Sequence, residues 1–249
     1  MKNKGKLQGS VYIGTSGWYY DHWEEVLYPP NLPKNKRFSI YSQIFNAVEL
    51  NVTYYRMPSE SMIKSWYTKA PENFIYTVKA YKEITHIRKL VNTDEILSRF
   101  LYAISPLQNK LGMILFQLPP SLKQDISLLH DFLELLPSKP HSCFEFRHPS
   151  WENDTTFDLL ARFGKSHVIV SKKNYPFAER HTGNIAYYRL HGPEQICASP
   201  YSCEFLEMLA DHITELSNNG IPSFSFFNND IGGHAVRNAQ SLQKLVVER

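Results

Sequence analysis

The stretch MILFQLPPSLKQDISLLHDFLELLPSKPHSCFEF, residues 113–146, is where the fold can be read. Its two ends, MILFQL (113–118) and CFEF (143–146), are short and almost continuously apolar. Such runs suit strands covered on both faces, as in a parallel sheet, better than the strict alternation of a half-exposed one. Between them Ile126, Leu129, Leu133 and Leu136 recur three or four apart, which predicts a helix with one apolar face, and Pro137 closes it. Strand, helix and strand in that order make a crossover unit of a parallel sheet.

The same alternation extends in both directions. VYIG (11–14), AVEL (47–50) and FIYTVK (74–79) come before this unit, and HVIVS (167–171), AYYRLHG (186–192) and SFSFFN (223–228) after it. Helices are predicted at SESMIKSWYTKA (59–70), opened by Ser59, and at NTDEILSRFLYAI (92–104), where Asn92 stands three before Glu95 in a variant of the capping box. Two more lie near the carboxyl end. CEFLEMLADHITELSNNG (203–220) sets Phe205, Leu209, Ile213 and Leu216 on one face and ends at Gly220, and GHAVRNAQSLQKLVVE (233–248) does the same with Ala235, Ala239, Leu242 and Leu245. One segment breaks the pattern: KKNYPFAERHTGN (172–184) contains Pro176 and Gly183 and has no helical stripe. Eight repeats predict an α/β fold, a TIM-like (β/α)8 barrel with an irregular crossover between strands six and seven. The chain is expected to form a single domain over 1–249, residues 1–10 being a polar, flexible lead-in.

Composition narrows the class. Of 249 residues, 43% are hydrophobic and 20% charged, which is enough to bury a large core. The lead-in MKNKGKLQGS lacks the apolar run that export needs, and nothing approaches the roughly 20 apolar residues that span a bilayer. No membrane association is expected, and the cytoplasm is the expected compartment. Cys143, Cys197 and Cys203 form no CxxC pair, so neither a disulfide framework nor a zinc knuckle is indicated. Lys and Arg exceed Asp and Glu by 27 to 24, without a basic block, which lends only weak support to nucleic-acid binding.

In barrels of this kind chemistry is done by residues at the carboxyl ends of the strands. Those ends are polar here: Ser16 and Trp18 after the first, Glu49 and Asn51 at the second, Lys79 at the third with His86 beyond, and Gln117 at the fourth. Glu145, Arg147 and His148 stand at the fifth, Arg189 and His191 at the seventh, and Asn228, Asn229 and Asp230 at the eighth. A charge inside a strand of Phe, Ile, Leu and Tyr is costly to bury unless paired, and sites of function collect such groups. Glu49, Lys79, Glu145 and Arg189 therefore read either as a functional site or as mutual ion pairs that plug the barrel.

The strings GTSGW, VELNVTYYRMPS, LFQLPPS, EFRHPSW, YYRLHG and FNND, in this order, resemble the motifs of the YecE-like family, domain-of-unknown-function family seventy-two. The resemblance runs from about residue 11 to the last helix. It implies a TIM-like barrel in bacterial cytoplasmic proteins and brings no activity with it. The chain departs from the family pattern after strand six, where an acidic residue is expected near Ser171, so no carboxylate role is carried to that position.

For chemistry the leading expectation is a hydrolase or lyase acting on an anionic or phosphorylated small molecule. Glu49, Glu145 and His191 are the expected catalytic residues, the carboxylates dividing acid and base work according to which lies in the drier environment. Lys79, Arg147 and Arg189 would hold the anion, with Ser16, Trp18, Asn51, Gln117, His148 and Asn228 completing the binding set. No metal and no cofactor is assigned. Two alternatives stand beside this: a divalent-metal-dependent phosphodiesterase or isomerase using Glu49, Glu145, His191 and Asp230, and a non-catalytic module for a nucleotide, RNA or protein. Trp18, Tyr19, Tyr20, Trp23, Tyr54, Tyr55 and Trp151 would stack a ring or pack beneath the loops. Substrate and oligomeric state are open.

Overall fold

The computed structural model describes residues 9–173, 177 and 180–249. Eight strands succeed one another in a closed barrel: β1 (Val11–Ser16), β2 (Ala47–Leu50), β3 (Ile75–Lys79), β4 (Leu111–Leu118), β5 (His141–Phe146), β6 (Ser166–Ser171), β7 (Ala186–Leu190) and β8 (Ser223–Phe227). The helices are α1 (Arg37–Ile44), α2 (Val52–Tyr55), α3 (Glu60–Lys69), α4 (Asp94–Ile104), α5 (Ile126–Glu134), α6 (Asp154–Arg162), α7 (Cys203–Asn218) and α8 (His234–Glu248). This is the TIM-like (β/α)8 architecture. Among the described residues no helix is long and apolar enough to cross a membrane.

Two compact units divide the chain. The first comprises residues 1–48, 169–180 and 184–249, and the second 49–168 and 181–183. In the first, β8 pairs in parallel with β1, Ser225 opposite Ile13, and with β7, Phe226 opposite Arg189. Gly14 of β1 is there because the chain comes too close for a side chain: a Cβ would lie 2.0 Å from the Ala47 carbonyl oxygen. In the second, β4 and β5 run in register from Met113 opposite His141 to Leu118 opposite Phe146. Phe116 and Phe144 stack 5.3 Å apart and both meet Phe132 of α5, so these alternate positions form the helix-facing layer. Gln117 and Glu145, one residue along, fall on the opposite face.

Local structure departs from the periodicity in a few places. Ser59 caps α3 as expected, accepting the Met62 N–H at 3.3 Å. Asn92 does not cap α4: it has a left-handed backbone, φ 50°, its carbonyl takes an N–H of Arg88, and Thr93 stands at the N-cap with its hydroxyl donating to the Leu90 carbonyl and not capping the helix. Asn is one of the few residues that tolerate this conformation, so the same residue type serves a turn rather than a cap. α5 ends at Glu134, before Pro137 is reached. On α7 Leu206 and Ala210 are buried while Phe205 is half-buried, and on α8 Val236 and Val246 are buried while Leu245 is half-buried. A stripe about 100° wide includes flanking positions that a strict three-or-four count leaves out. Of the irregular crossover, Pro176 and residues 174, 175, 178 and 179 lie outside the described residues, as do residues 1–8 of the lead-in; the described part of 172–184 carries no helix, and Gly183 has φ 65°.

Candidate functional site

In the second unit four of the expected site residues are joined in a row, the first three by hydrogen bonds and the fourth by an ion pair. Lys79 ends β3, Gln117 is next to last in β4, and Glu145 is next to last in β5, in register with Gln117. The Lys79 ammonium donates to Gln117 Oε1 at 3.0 Å, and Gln117 Nε2 donates to Glu145 Oε2 at 2.9 Å. Arg147 Nε meets Glu145 Oε1 at 2.5 Å. The amide of Gln117 is thus oriented by its neighbours: oxygen to the cation, nitrogen to the carboxylate. Glu145 has no exposed surface, whereas the Arg147 side chain is 24% exposed, so a buried carboxylate holds a guanidinium that still reaches solvent. The ion partner of Glu145 is thus Arg147, which lies outside the four residues that the ion-pair alternative named.

Aromatic and hydroxyl groups complete the surroundings of Lys79. Its ammonium lies 4.2 Å from the centre of the Tyr54 ring. Tyr54 belongs to α2, which Thr53 ties to the end of β3 by donating to the Lys79 carbonyl at 2.6 Å. Burial, with a smaller effect of Tyr55, raises the phenol above its ordinary pKa and keeps it neutral. The edge of His86 meets Tyr54 at 4.9 Å and 78°. His86 was visible in the sequence beyond strand three but not singled out; the signal was its position seven residues after Lys79.

The other expected residues of this unit are placed differently. Glu49 is fully buried within β2, as Glu145 is within β5, so dryness does not separate acid from base. Asn51 comes after β2 at the N-cap of α2, and its buried Oδ1 has no hydrogen-bond partner among the described residues. His148 Nδ1 accepts the Ser150 N–H at 3.1 Å and so caps the short turn Pro149–Trp151. Trp151 itself is core, its ring stacked 4.8 Å from Phe146 and its Nε1 donating to the Leu122 carbonyl.

In the first unit the structure joins His191 to Asn228. The Asn228 amide lies 3.0 Å from His191 Nδ1; if the amide donates, the ring proton sits on Nε2. The same amide is 3.6 Å from Cys197 Sγ, and the Cys197 N–H donates to the His191 carbonyl at 2.6 Å, with Cys197 itself at φ 65°. Sequence reading did not select Cys197. Ser171, at the position where the family pattern led one to expect an acid, is 3.0 Å from the Tyr201 hydroxyl, whose pKa burial pushes up to about 12. Arg189 is buried in β7. Ser16 ends β1 and its carbonyl accepts from Tyr20; Gly17, at φ 93°, supplies the turn beyond it. Trp18 packs 5.0 Å from Phe38 and Trp23 is fully buried, so the packing role predominates for both. Asp230, whose carboxyl burial raises, receives His22 at its carbonyl.

Comparison with known proteins bears on the family and the fold. UPF0759 protein YunF of Bacillus subtilis is 28% identical over 270 residues, covering 95% of this chain and 94% of YunF. UPF0759 protein YecE of Escherichia coli K12 is also 28% identical, over 70% of this chain and 64% of YecE. A crystal structure of a DUF72 family protein from Thermotoga maritima superposes with a TM-score of 0.87 at 31% identity, covering 96% of this chain and all of that one. One from Enterococcus faecalis shares the fold at 20% identity, with a TM-score of 0.81 over 95% of each chain. With residues 12–249 matched by the family described as protein of unknown function DUF72, the chain belongs to that family.

Proposed function

We propose that this chain, as one cytoplasmic barrel domain, binds an anionic small molecule, a carboxylate or phosphate ester, at Lys79 and Arg147 and acts on it as a hydrolase or lyase. The observation that carries the reading is the chain Lys79–Gln117–Glu145–Arg147. A fully buried carboxylate beside a partly exposed guanidinium is expensive as a structural device, because apolar side chains of similar volume would stabilise the same space at least as well. As a receptor it makes sense: Glu145 fixes the plane of Arg147, and the planar fork suits carboxylate or phosphate. Glu145 is then the candidate proton carrier.

The metal alternative fits less well. Glu145 is engaged by a guanidinium that would compete with a cation, and His191 Nδ1 is engaged by Asn228. Among the described residues the grouping with metal-binding spacing is instead His130, Asp131 and Glu134 on α5.

Calorimetric titration with inorganic phosphate tests the reading. Wild-type protein is expected to bind it, and Lys79→Met and Arg147→Met to weaken binding at least 10-fold each. Unchanged affinity in both variants, at equal foldedness by circular dichroism, would rule the site out.

A further inference from the structure

Beyond Lys79 the chain does something unusual. Residues Glu83–Ile87, EITHI, form a π-helical turn, closed by the Arg88 N–H on the Glu83 carbonyl at 2.9 Å. Such turns are rare and recur at functional sites. The backbone just past the turn is strained as well: Lys89, Leu90 and Asn92 have φ of 49°, 71° and 50°. Non-glycine residues adopt that conformation at a cost, and here it is imposed by the burial of Leu90 and by its N–H bond to the Ile84 carbonyl at 3.0 Å.

The turn buries Ile84 and Thr85, pairs Glu83 with Arg88, and leaves His86 toward Tyr54. His86 Nδ1 lies 2.9 Å from the hydroxyl of buried Thr85. With that hydroxyl donating, the ring proton is on Nε2. His86 adjoins the cationic group without adding to it, for burial foremost, then the charges of Lys79 and Arg147, push its pKa down to about 4, Glu145 acting in the opposite sense. A neutral imidazole next to two cations adds no charge to hold an anion. Its contribution is a directed N–H donor, which an oxygen of the ligand can accept.

We infer that His86 is a ligand-contacting residue of this site, its Nε2–H hydrogen-bonding a carbonyl or hydroxyl oxygen that the ligand carries close to its anionic group. The inference rests on the anion reading and narrows it: the ligand class is a phosphorylated or carboxylated polyol or carbonyl compound rather than a bare oxyanion.

The experiment measures affinity near neutral pH for two pairs of probes, inorganic phosphate against glycerol 3-phosphate and propionate against lactate, in wild type, His86→Ala and His86→Gln. Wild type is expected to prefer the hydroxylated member of the pair it binds. His86→Ala should lose about 3- to 10-fold on that member, the worth of one hydrogen bond, and stay within twofold on the bare anion. His86→Gln, whose amide reaches a similar position, should recover most of the preference. Equal affinity for both members, or equal weakening of both by His86→Ala, overturns the role of His86 and leaves the anion site standing. No binding of any probe by folded wild type overturns both.

Discussion

At the scale of single residues, His86 makes the most specific statement about pH. Its pKa of about 4 lies below the ordinary 6.5 because burial and two neighbouring cations disfavour the imidazolium. Between those values the unfolded chain binds more protons at this residue than the folded one, so the contribution of His86 to stability is complete above about 6.5 and is lost as pH falls toward 4. Asp230, with its carboxyl raised by burial, acts in the opposite sense at acid pH. The comparison must therefore be made between wild type and His86→Gln. Urea midpoints of the two are expected to converge as pH drops, and an NMR titration should place the His86 midpoint near 4; a midpoint at or above 6.5 contradicts the geometry. The polar strand ends themselves were legible in the sequence, because Lys79, Gln117, Glu145 and Arg147 interrupt apolar runs. Which of them touch was not, since contact depends on the register of β3, β4 and β5.

At the scale of elements, caps separate what pattern can and cannot tell. Asp125 accepts the Leu128 N–H at 2.9 Å at the head of α5, so Asp125→Ala should cost about 1 kcal/mol in urea denaturation. Asn92 behaves otherwise. A residue held at φ 50° can be replaced by glycine without strain but by alanine only at a cost. Asn92→Gly is expected to be near neutral and Asn92→Ala to destabilise on the order of 1 kcal/mol. The reverse order would contradict the left-handed placement. All eight strands were recognisable because β-branched and aromatic runs bounded by turn formers leave little choice. α1, α2 and α6 were not picked out: α2 is a single turn, and α1 is held at its end by contacts such as that of Tyr41 with the Ala47 carbonyl, which no local pattern announces.

At the scale of the whole molecule the question is whether the charged chain serves stability or function. If Glu145 and Arg147 only plug the barrel, replacing both should unfold it. If they are kept for a ligand, the double variant Glu145→Gln with Arg147→Met should be at least as stable as wild type while no longer binding phosphate, as buried pairs exchanged for less polar groups often are. Arg147→Met alone should lose roughly 3–5 kcal/mol by removing the guanidinium paired with the buried Glu145 carboxylate. Thermal and urea unfolding of the three proteins decides between the two. A double variant several kcal/mol less stable than wild type would assign the pair to structure.

By itself the sequence determined the barrel, its eight strands and the polar character of their ends, because these follow from periodicity and from the cost of burying charge. Tertiary structure decided the rest: that Gln117 bridges Lys79 and Glu145, that His148 caps a turn, and that His86 packs against Tyr54. The physical reason is the range of the interactions. Periodicity and turn chemistry act over a few residues, whereas hydrogen bonds across strands and the desolvation that sets a pKa depend on neighbours brought together only by folding.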